Sequence, residues 1–458
     1  MNRNSVVKRL KDGHFKTLCT HLVSEMKRLN IPGISVAVWH NGEVHEAGLG
    51  VTSVDHPLAV TADTLFQIGS ISKTMTGTIL MQLVESGVLE LDKPVINYLP
   101  KLKLADAHTT AHVTTRHLLT HMGGWMGDYF NDFGTGDNAL EAMVKSLKIL
   151  PQTTPLGTLW SYNNAGFNIA GRIIEVLTNM PYERAAKQRL FDPLKLRNTF
   201  FYPDDAILTR RFAVGHQKWQ GRARVATPWA IGRSANAVGG VISTVGDLMR
   251  YAMFHSSDGA GVMRATTLQQ MRTTQVHAGG RGDMGLTWFI RQHGTRTSYG
   301  HGGATKGQKA TFRFLPDENF AIAILTNSDD GGMVGDSTVS KAIELYFGYT
   351  APAPQPIELE SKQLKEYVGE YDYALAHFRV VANKGGIIIH ETPKGGFPKP
   401  HVPAGPPIPS VRARMLGDDR FVCIDEPRIG EIGDFVRGPD GKVAFLRIGG
   451  RANPRISK

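Results

Sequence analysis

Two strongly β-type segments lie at opposite ends of a long helical stretch. A chain arranged this way buries its strands most simply by bringing both ends into one sheet. The first segment, GISVAVWHNGEVHEAGLG (Gly33–Gly50), has two apolar runs around Asn41-Gly42, a dipeptide that favours a tight hairpin. The second, TSYGHGGATKGQKATFRFLPDENFAIAILTN (Thr297–Asn327), holds two strands joined by the turn-forming Pro316-Asp317-Glu318-Asn319. Between them SKTMTGTILMQLVESG, TTRHLLTHMGG, NNAGFNIAGRIIEVLTNM and TVGDLMRYAMF read as helices. The expected class is α/β: one antiparallel sheet flanked by helices, with a helical subdomain beside it. Small-molecule sites commonly form at such a junction.

With 458 residues, more than one domain is expected. A proline-rich break at YTAPAPQPIELE, Tyr349–Glu360, precedes segments that alternate apolar and polar residues around glycine-rich turns: FRVVANKGGIIIHE, RFVCIDE and DFVRGPDGKVAFLRI. The expected division is 1–350 for the α/β part, 351–360 for a semi-rigid linker, and 361–458 for a small all-β barrel. Within the barrel, TPKGGFPKPHVPAGPPIPS is too rich in proline for a strand and reads as a long loop. A loop of that length either wanders through solvent or reaches a partner subunit or the active site.

The formal charge of +11 raises nucleic acid as a partner, but the basic residues are scattered and no basic run is interleaved with aromatics. A solvated surface mildly attractive to anions is the better reading. Two distant cysteines, Cys19 and Cys423, exclude a disulfide framework. The N-terminal stretch reads as an amphipathic helix without the apolar core of a signal peptide, and no apolar run approaches a membrane span. A cytoplasmic protein is expected.

Chemistry enters at FQIGSISKTMTG, Phe66–Gly77. Ser70 stands three residues before Lys73 at the start of a helix, which puts amine and hydroxyl on one face. Ser70 could be no more than a helix cap. Alternatively, a packed and desolvated lysine is partly neutral and can accept the serine proton. The spacing alone is weak. A second element is Tyr162 and Asn164 in LWSYNNAGFNIAG, a phenol able to act as a base near an ammonium and an amide able to hold a substrate amide. The bland reading is a capping asparagine beside a core tyrosine. A third is His301-Gly302-Gly303, placed at a strand entrance, where glycines let a substrate backbone approach and a neighbouring N–H can serve an oxyanion hole.

Taken in this order, S-x-x-K, Y-x-N and H-x-G resemble the serine β-lactamase and penicillin-binding superfamily. The likeness is to its class C-like branch of class C β-lactamases, D-stereospecific peptidases and family VIII esterases. HVTTRHLLTHMGGW, FDPLKLRNTFF and NAVGGVISTVGDLMRYA resemble the segments that the family carries between its motifs, and the last part of the chain is similar to a lipocalin-like barrel. The resemblance implies that Ser70 is the acylated nucleophile and that Lys73 and Tyr162 share the proton transfers. It also implies that Asn164 orients the substrate amide and the lysine, that His301 lines the pocket with Gly302 beside it, and that Gly303 gives clearance. The backbone N–H groups of Ser70 and Ala304 would form the oxyanion hole. One departure is His301 where many relatives carry lysine; near neutral pH a histidine is only partly charged, which weakens the case for β-lactams as substrates.

The function implied is hydrolysis of small esters or amides through an acyl-enzyme, with weak β-lactam hydrolysis as an accompaniment. The alternatives are a peptidase for D-amino-acid or short peptides and a penicillin-binding receptor or scaffold that does not turn over. No cofactor is called for. The partner is a small molecule, with room for a homo-oligomer. His112, His117 and His121 raise a metal hypothesis, the last two at i, i+4, but no acidic or cysteine ligand accompanies them and a structural role is expected. Trp125 and Tyr129 are expected at the pocket rim or in the core.

Overall fold

A computed structural model describes residues 3–229 and 231–457. A short helix, Arg3–Lys8, precedes α1 (Gly13–Leu29), so the N-terminal segment forms two helices rather than one. The break falls at Asp12, whose side chain accepts the Phe15 N–H at 2.6 Å and restarts the helix as its N-cap. Strands β1 (Gly33–His40) and β2 (Glu43–Gly50) form the expected hairpin, with positive φ at both Asn41 and Gly42. The helices that frame the site are α2 (Ser72–Glu85), α3 (Asn164–Thr178) and α4 (Val245–Ser256). Then follow the short β3 (Val276–His277) and β4 (Asp283–Met284), and β5 (Phe289–His293), β6 (Arg296–Thr305), β7 (Gln308–Leu315) and β8 (Phe320–Thr326). Helix α5 (Gly331–Phe347) closes this part of the chain.

The sheet order is β2-β1-β8-β7-β6-β5-β4-β3, antiparallel in every pairing, so the two ends of the segment do meet, along β1 and β8. Its two faces feed two apolar cores. Ile34, Val36, Ile322 and Ile324 pack with α1 and α5, whereas Ala37, Phe312, Phe314 and Ala323 pack with α2 and α4. Cover on both faces is why β1 and β8 are almost continuously apolar rather than alternating.

Beyond α5, the residues between Phe347 and Ser361 form neither helix nor strand. Eight strands then close into a barrel: β9 (Gly369–Asp372), β10 (Ala376–Asn383), β11 (Gly386–Pro393), β12 (Val411–Gly417), β13 (Arg420–Cys423), β14 (Ile432–Arg437), β15 (Val443–Ile448) and β16 (Arg451–Ser457). Its own core is built around Tyr371, Phe421, Phe435 and Leu446. The proline-rich segment lies between β11 and β12. Among the described residues no helix is long and apolar enough to cross a membrane.

Candidate active site

Ser70 lies in a single 3-10 turn, Gly69–Ile71, just ahead of α2, and it is not the helix cap: neither this turn nor α2 has a side-chain capping bond. Gly69 takes a positive φ, and a Cβ there would fall 2.5 Å from the backbone nitrogen of Ala304, so the turn and β6 touch through a residue that must be glycine. Gly303 has the same constraint from the other side: its Cβ would lie 1.9 Å from the Ile68 carbonyl oxygen and 3.3 Å from the Ser70 nitrogen. The backbone nitrogens of Ser70 and Ala304 are thereby held close together. His301-Gly302-Gly303 sits inside β6 rather than at its entrance, because the pairing with β7 runs through Thr305.

Helix α2 is buried on every side at its N-terminal end, unlike a surface amphipathic helix. Two of its threonines are satisfied within the chain turn, Thr74 Oγ1 donating to Ile71 O and Thr78 Oγ1 to Thr74 O, and Thr76 Oγ1 donates to Ala237 O at 2.7 Å. Lys73, 0 % exposed, shares this burial. Its Nζ lies 2.9 Å from Ser70 Oγ and donates to the Val238 carbonyl at 2.8 Å. Burial holds its pKa well below the ordinary lysine value, with the Arg451 charge acting in the same direction and Asp128 opposing. A neutral amine has a lone pair to offer the serine proton.

Tyr162 is buried with its ring 5.1 Å from Lys73 Nζ. Burial pushes its hydroxyl up to about 12, with the nearby Ser70 hydroxyl and the charges of Arg451 and Arg281 pulling the other way. The helix that follows is capped by Asn163, whose side chain accepts the Gly166 N–H at 2.8 Å. The capping role therefore belongs to Asn163 and leaves Asn164 free for another partner. That partner is not Lys73: Asn164 Nδ2 donates to Asp128 Oδ1 at 2.5 Å.

Asp128 leads to the residues that sequence reasoning missed. Its carboxylate is gripped by Arg451 of β16, Nε at 3.0 Å and Nη2 at 3.2 Å, and the same guanidinium stands 4.8 Å from the centre of the Tyr162 ring. The barrel docks here through a Gly449-Gly450 hairpin turn, both residues at positive φ. Gly450 O accepts the Tyr162 N–H at 2.9 Å, and a Cβ on Gly450 would meet Arg281 at 2.7 Å. Tyr373 OH accepts from Gly127 N at 2.7 Å, and Ser161 Oγ accepts from Ala452 N at 3.1 Å. The sequence signal was a Gly-Gly hairpin turn, which marks a bend and not what it touches.

The proline-rich loop also reaches the site. A cleft of about 1180 Å³ contains Ser70, Tyr162, Asn164, His301 and Gly303, and Phe397, His401 and Pro403 of this loop line it. The loop is fastened across the cleft by Phe397 packed edge-on against Phe130 at 4.8 Å and by a Lys399–Asp132 ion pair at 2.5 Å. Phe130 is thus the aromatic at the rim. Trp125 lies in the core and Tyr129 accepts a hydrogen bond from Asn131.

His301 differs from expectation. It is 4 % exposed, and burial above all pushes its pKa down to about 3, so it is neutral near pH 7 rather than partly charged. His117 and His121 do not share a helix: the helix ends at Leu119 and His121 stands beyond it at positive φ. His117 completes a capping box with Thr114, while His121 accepts the Asn163 N–H at 2.9 Å and packs on the Tyr162 ring at 4.2 Å. His121 and His255 are also buried and held well below their ordinary pKa, mainly by burial. In the unfolded chain each histidine titrates near about 6.5. Below that pH the unfolded state takes up protons that the folded state refuses, so stability is full above it and falls on acidification. Urea midpoints are expected to drop between about pH 7 and pH 5, and His301→Gln should flatten the slope; a midpoint constant over this range would mean that these imidazoles are charged in the fold.

Residues 20–343 match the profile of the family described as Beta-lactamase. Penicillin-binding protein 4 of Amycolatopsis lactamdurans is 36% identical over 313 residues, which cover 65% of this chain and 81% of that protein. A Beta-lactamase of Yersinia enterocolitica is 27% identical over 343 residues, covering 66% and 84%. The crystal structure of SurE superposes with a TM-score of 0.75 at 25% identity and covers 97% of this chain and 99% of that one, barrel included. At family level these similarities support a serine hydrolase, and the chain belongs to the beta-lactamase family.

Proposed function

We propose that this protein is a serine hydrolase that acts through an acyl-enzyme on small esters and amides. The observation that carries this reading is the pairing of Ser70 Oγ with the fully buried Lys73 amine at 2.9 Å, whose pKa burial holds well below the ordinary lysine value. In the proposed sequence the serine proton moves to Lys73 as Oγ bonds to the substrate carbonyl carbon. The carbonyl oxygen, now carrying the charge, would be stabilised by the backbone N–H groups of Ser70 and Ala304, a role supported by the tight glycine packing that brings the two segments together. Collapse breaks the bond to the leaving group, which takes the proton from Lys73 or through Tyr162. Water then attacks the acyl-enzyme and gives a proton to the same pair, which passes it to Ser70 Oγ as the bond from Oγ to the acyl carbon breaks, releasing the acid and free Ser70. Asn164, fixed by Asp128, would present its amide oxygen to the substrate. With a neutral His301, the site has no cation at the position where many relatives carry lysine.

A second reading, hydrolysis of short peptides including those with D-residues, is favoured by the size of the cleft. A loop across the serine would point to a small or narrow substrate, yet the cleft that this loop helps to line measures about 1180 Å³, more than a simple short-chain ester fills. Apolar Phe130, Ile231, Val238 and Phe397 in the lining suit an apolar side chain on the acyl part. The test is a parallel assay of purified protein on a short-chain nitrophenyl ester, a D-alanyl anilide and a chromogenic cephalosporin. Steady-state turnover of the ester and the anilide is expected, with the cephalosporin slowest. A single burst of acylation with no steady state on any of them would overturn the hydrolase reading in favour of a receptor.

A further inference from the structure

Three residues along β6 from Gly303, toward its N-terminal end, the sheet carries two cations on the strands that flank Gly300. Arg313 of β7 pairs with Gly300 and Arg291 of β5 pairs with Ser298, so both project from the same face on either side of β6. They are set diagonally: Arg313 lies beside Gly300, whose neighbour on the other side is Phe289, and Arg291 lies two residues further along, beside Ser298. A Cβ at that position would lie 3.2 Å from the Arg313 side chain and 2.2 Å from the Phe312 carbonyl oxygen, so the arrangement depends on the glycine.

Arg313 is 8 % exposed and its Nη1 is buried without an acceptor. Among the described residues neither guanidinium makes an ion pair; Asp336 of α5 attracts Arg313 without bonding it, and Arg281 adds a third positive charge nearby. A buried cation with no anionic partner is costly to the fold, and its charge is satisfied only when an anion enters. The cleft that contains Ser70 is continuous with this hollow, since Arg281, Arg291 and Arg313 line the same cavity.

We propose that the hollow over Gly300 binds an anionic group, carboxylate or phosphate, carried by the molecule whose scissile carbonyl is presented to Ser70. Gly300 is three residues of strand from Gly303, which packs against the Ser70 turn; this odd step puts the two arginines on the α5 face of the sheet and Gly303 on the other, so the anion lies about 10 Å or more from the reacting carbonyl, reached past the outer edge of β6, which pairs with β5 only as far as Gly300. The substrate is accordingly elongated and acidic at one end, in keeping with the large cleft. The inference rests on Ser70 as the acyl acceptor.

Its test uses two sets of nitrophenyl-type esters with matched neutral twins. In one the acyl part is a dicarboxylic acid of increasing length; in the other the acyl part is neutral and the phenol carries the carboxylate on a spacer. The readout is the ratio of kcat/KM for the charged ester to that of its methyl-capped twin. On one of the two arms the unaltered protein is expected to favour the charged ester about tenfold or more once the spacer reaches the hollow, and Arg313→Gln and Arg291→Gln should each bring the ratio toward unity. A ratio near unity on both arms, or a preference that survives in Arg313→Gln, overturns the proposal. So does a hollow that only takes up free ions, seen as stabilisation by inorganic phosphate that depends on Arg313 without any charge preference among the esters. If the neutral twins are not turned over at all, it is the Ser70 reading that fails. Calorimetric binding of the charged ester then decides the hollow: Arg313→Gln weakens it about tenfold or more if the site is real and leaves it unchanged if not.

Discussion

Exchange of Ser70 for alanine is expected to abolish turnover of ester and anilide alike, by a factor on the order of 10⁴ or more, because the group that forms the covalent intermediate is gone and nothing nearby can replace it. Lys73 is fully buried at the start of α2 and keeps its bond to Val238 O, so it cannot itself advance to the substrate carbonyl. The fold should tolerate the change, since Ser70 is only half-buried and caps no helix. Two measurements check this together: steady-state rates, and the mass of protein quenched during turnover, which should show an acyl adduct in the unaltered chain and none in Ser70→Ala. Activity surviving on all three classes of substrate would remove Ser70 from the mechanism.

The second large effect is expected far away in sequence, at Arg451. Its guanidinium is the partner of Asp128, whose side chain is only 1 % exposed and holds Asn164 in place. Arg451→Gln leaves that carboxylate buried and unpaired, a change that costs roughly 3–5 kcal/mol in comparable sites. It also takes a positive charge from beside the Tyr162 ring, which disfavours any phenolate formed in catalysis. We expect kcat to fall on the order of 10²-fold and the melting temperature to drop by several degrees. Adding Asp128→Asn removes the stranded charge and should recover most of the stability but not the activity. A kcat left unchanged by Arg451→Gln would reduce the barrel's role to packing.

How far the site could be read in advance depended on the range of the interactions. Ser70 and Lys73 are neighbours on one turn, so their spacing carried their geometry. The Asn41-Gly42 turn and the apolar runs of β1 and β8 announced themselves through local conformation and burial. That His301 belongs to a strand was legible, though not its place inside β6; its charge was not, because that depends on desolvation by Tyr162, Phe289 and the sheet, which no spacing reveals. Asn163 and Asn164 look alike in sequence. Only the direction of the chain at the start of α3 makes one a cap and turns the other toward Asp128.

The chain by itself determined the main helices and the strands at both ends, the α/β class with its appended barrel, and the S-x-x-K, Y-x-N and H-x-G motifs, since each is written in local periodicity, turn chemistry or motif. Only the tertiary structure decided what surrounds the site: the Gly449-Gly450 turn and Arg451 of the barrel against Tyr162 and Asp128, the proline-rich loop in the lining of the cleft, and two arginines on the strands that flank Gly300. Those contacts join residues as far apart as Asp128 and Arg451. Their energies come from burial and charge pairing that arise only once the sheet and the barrel have packed together.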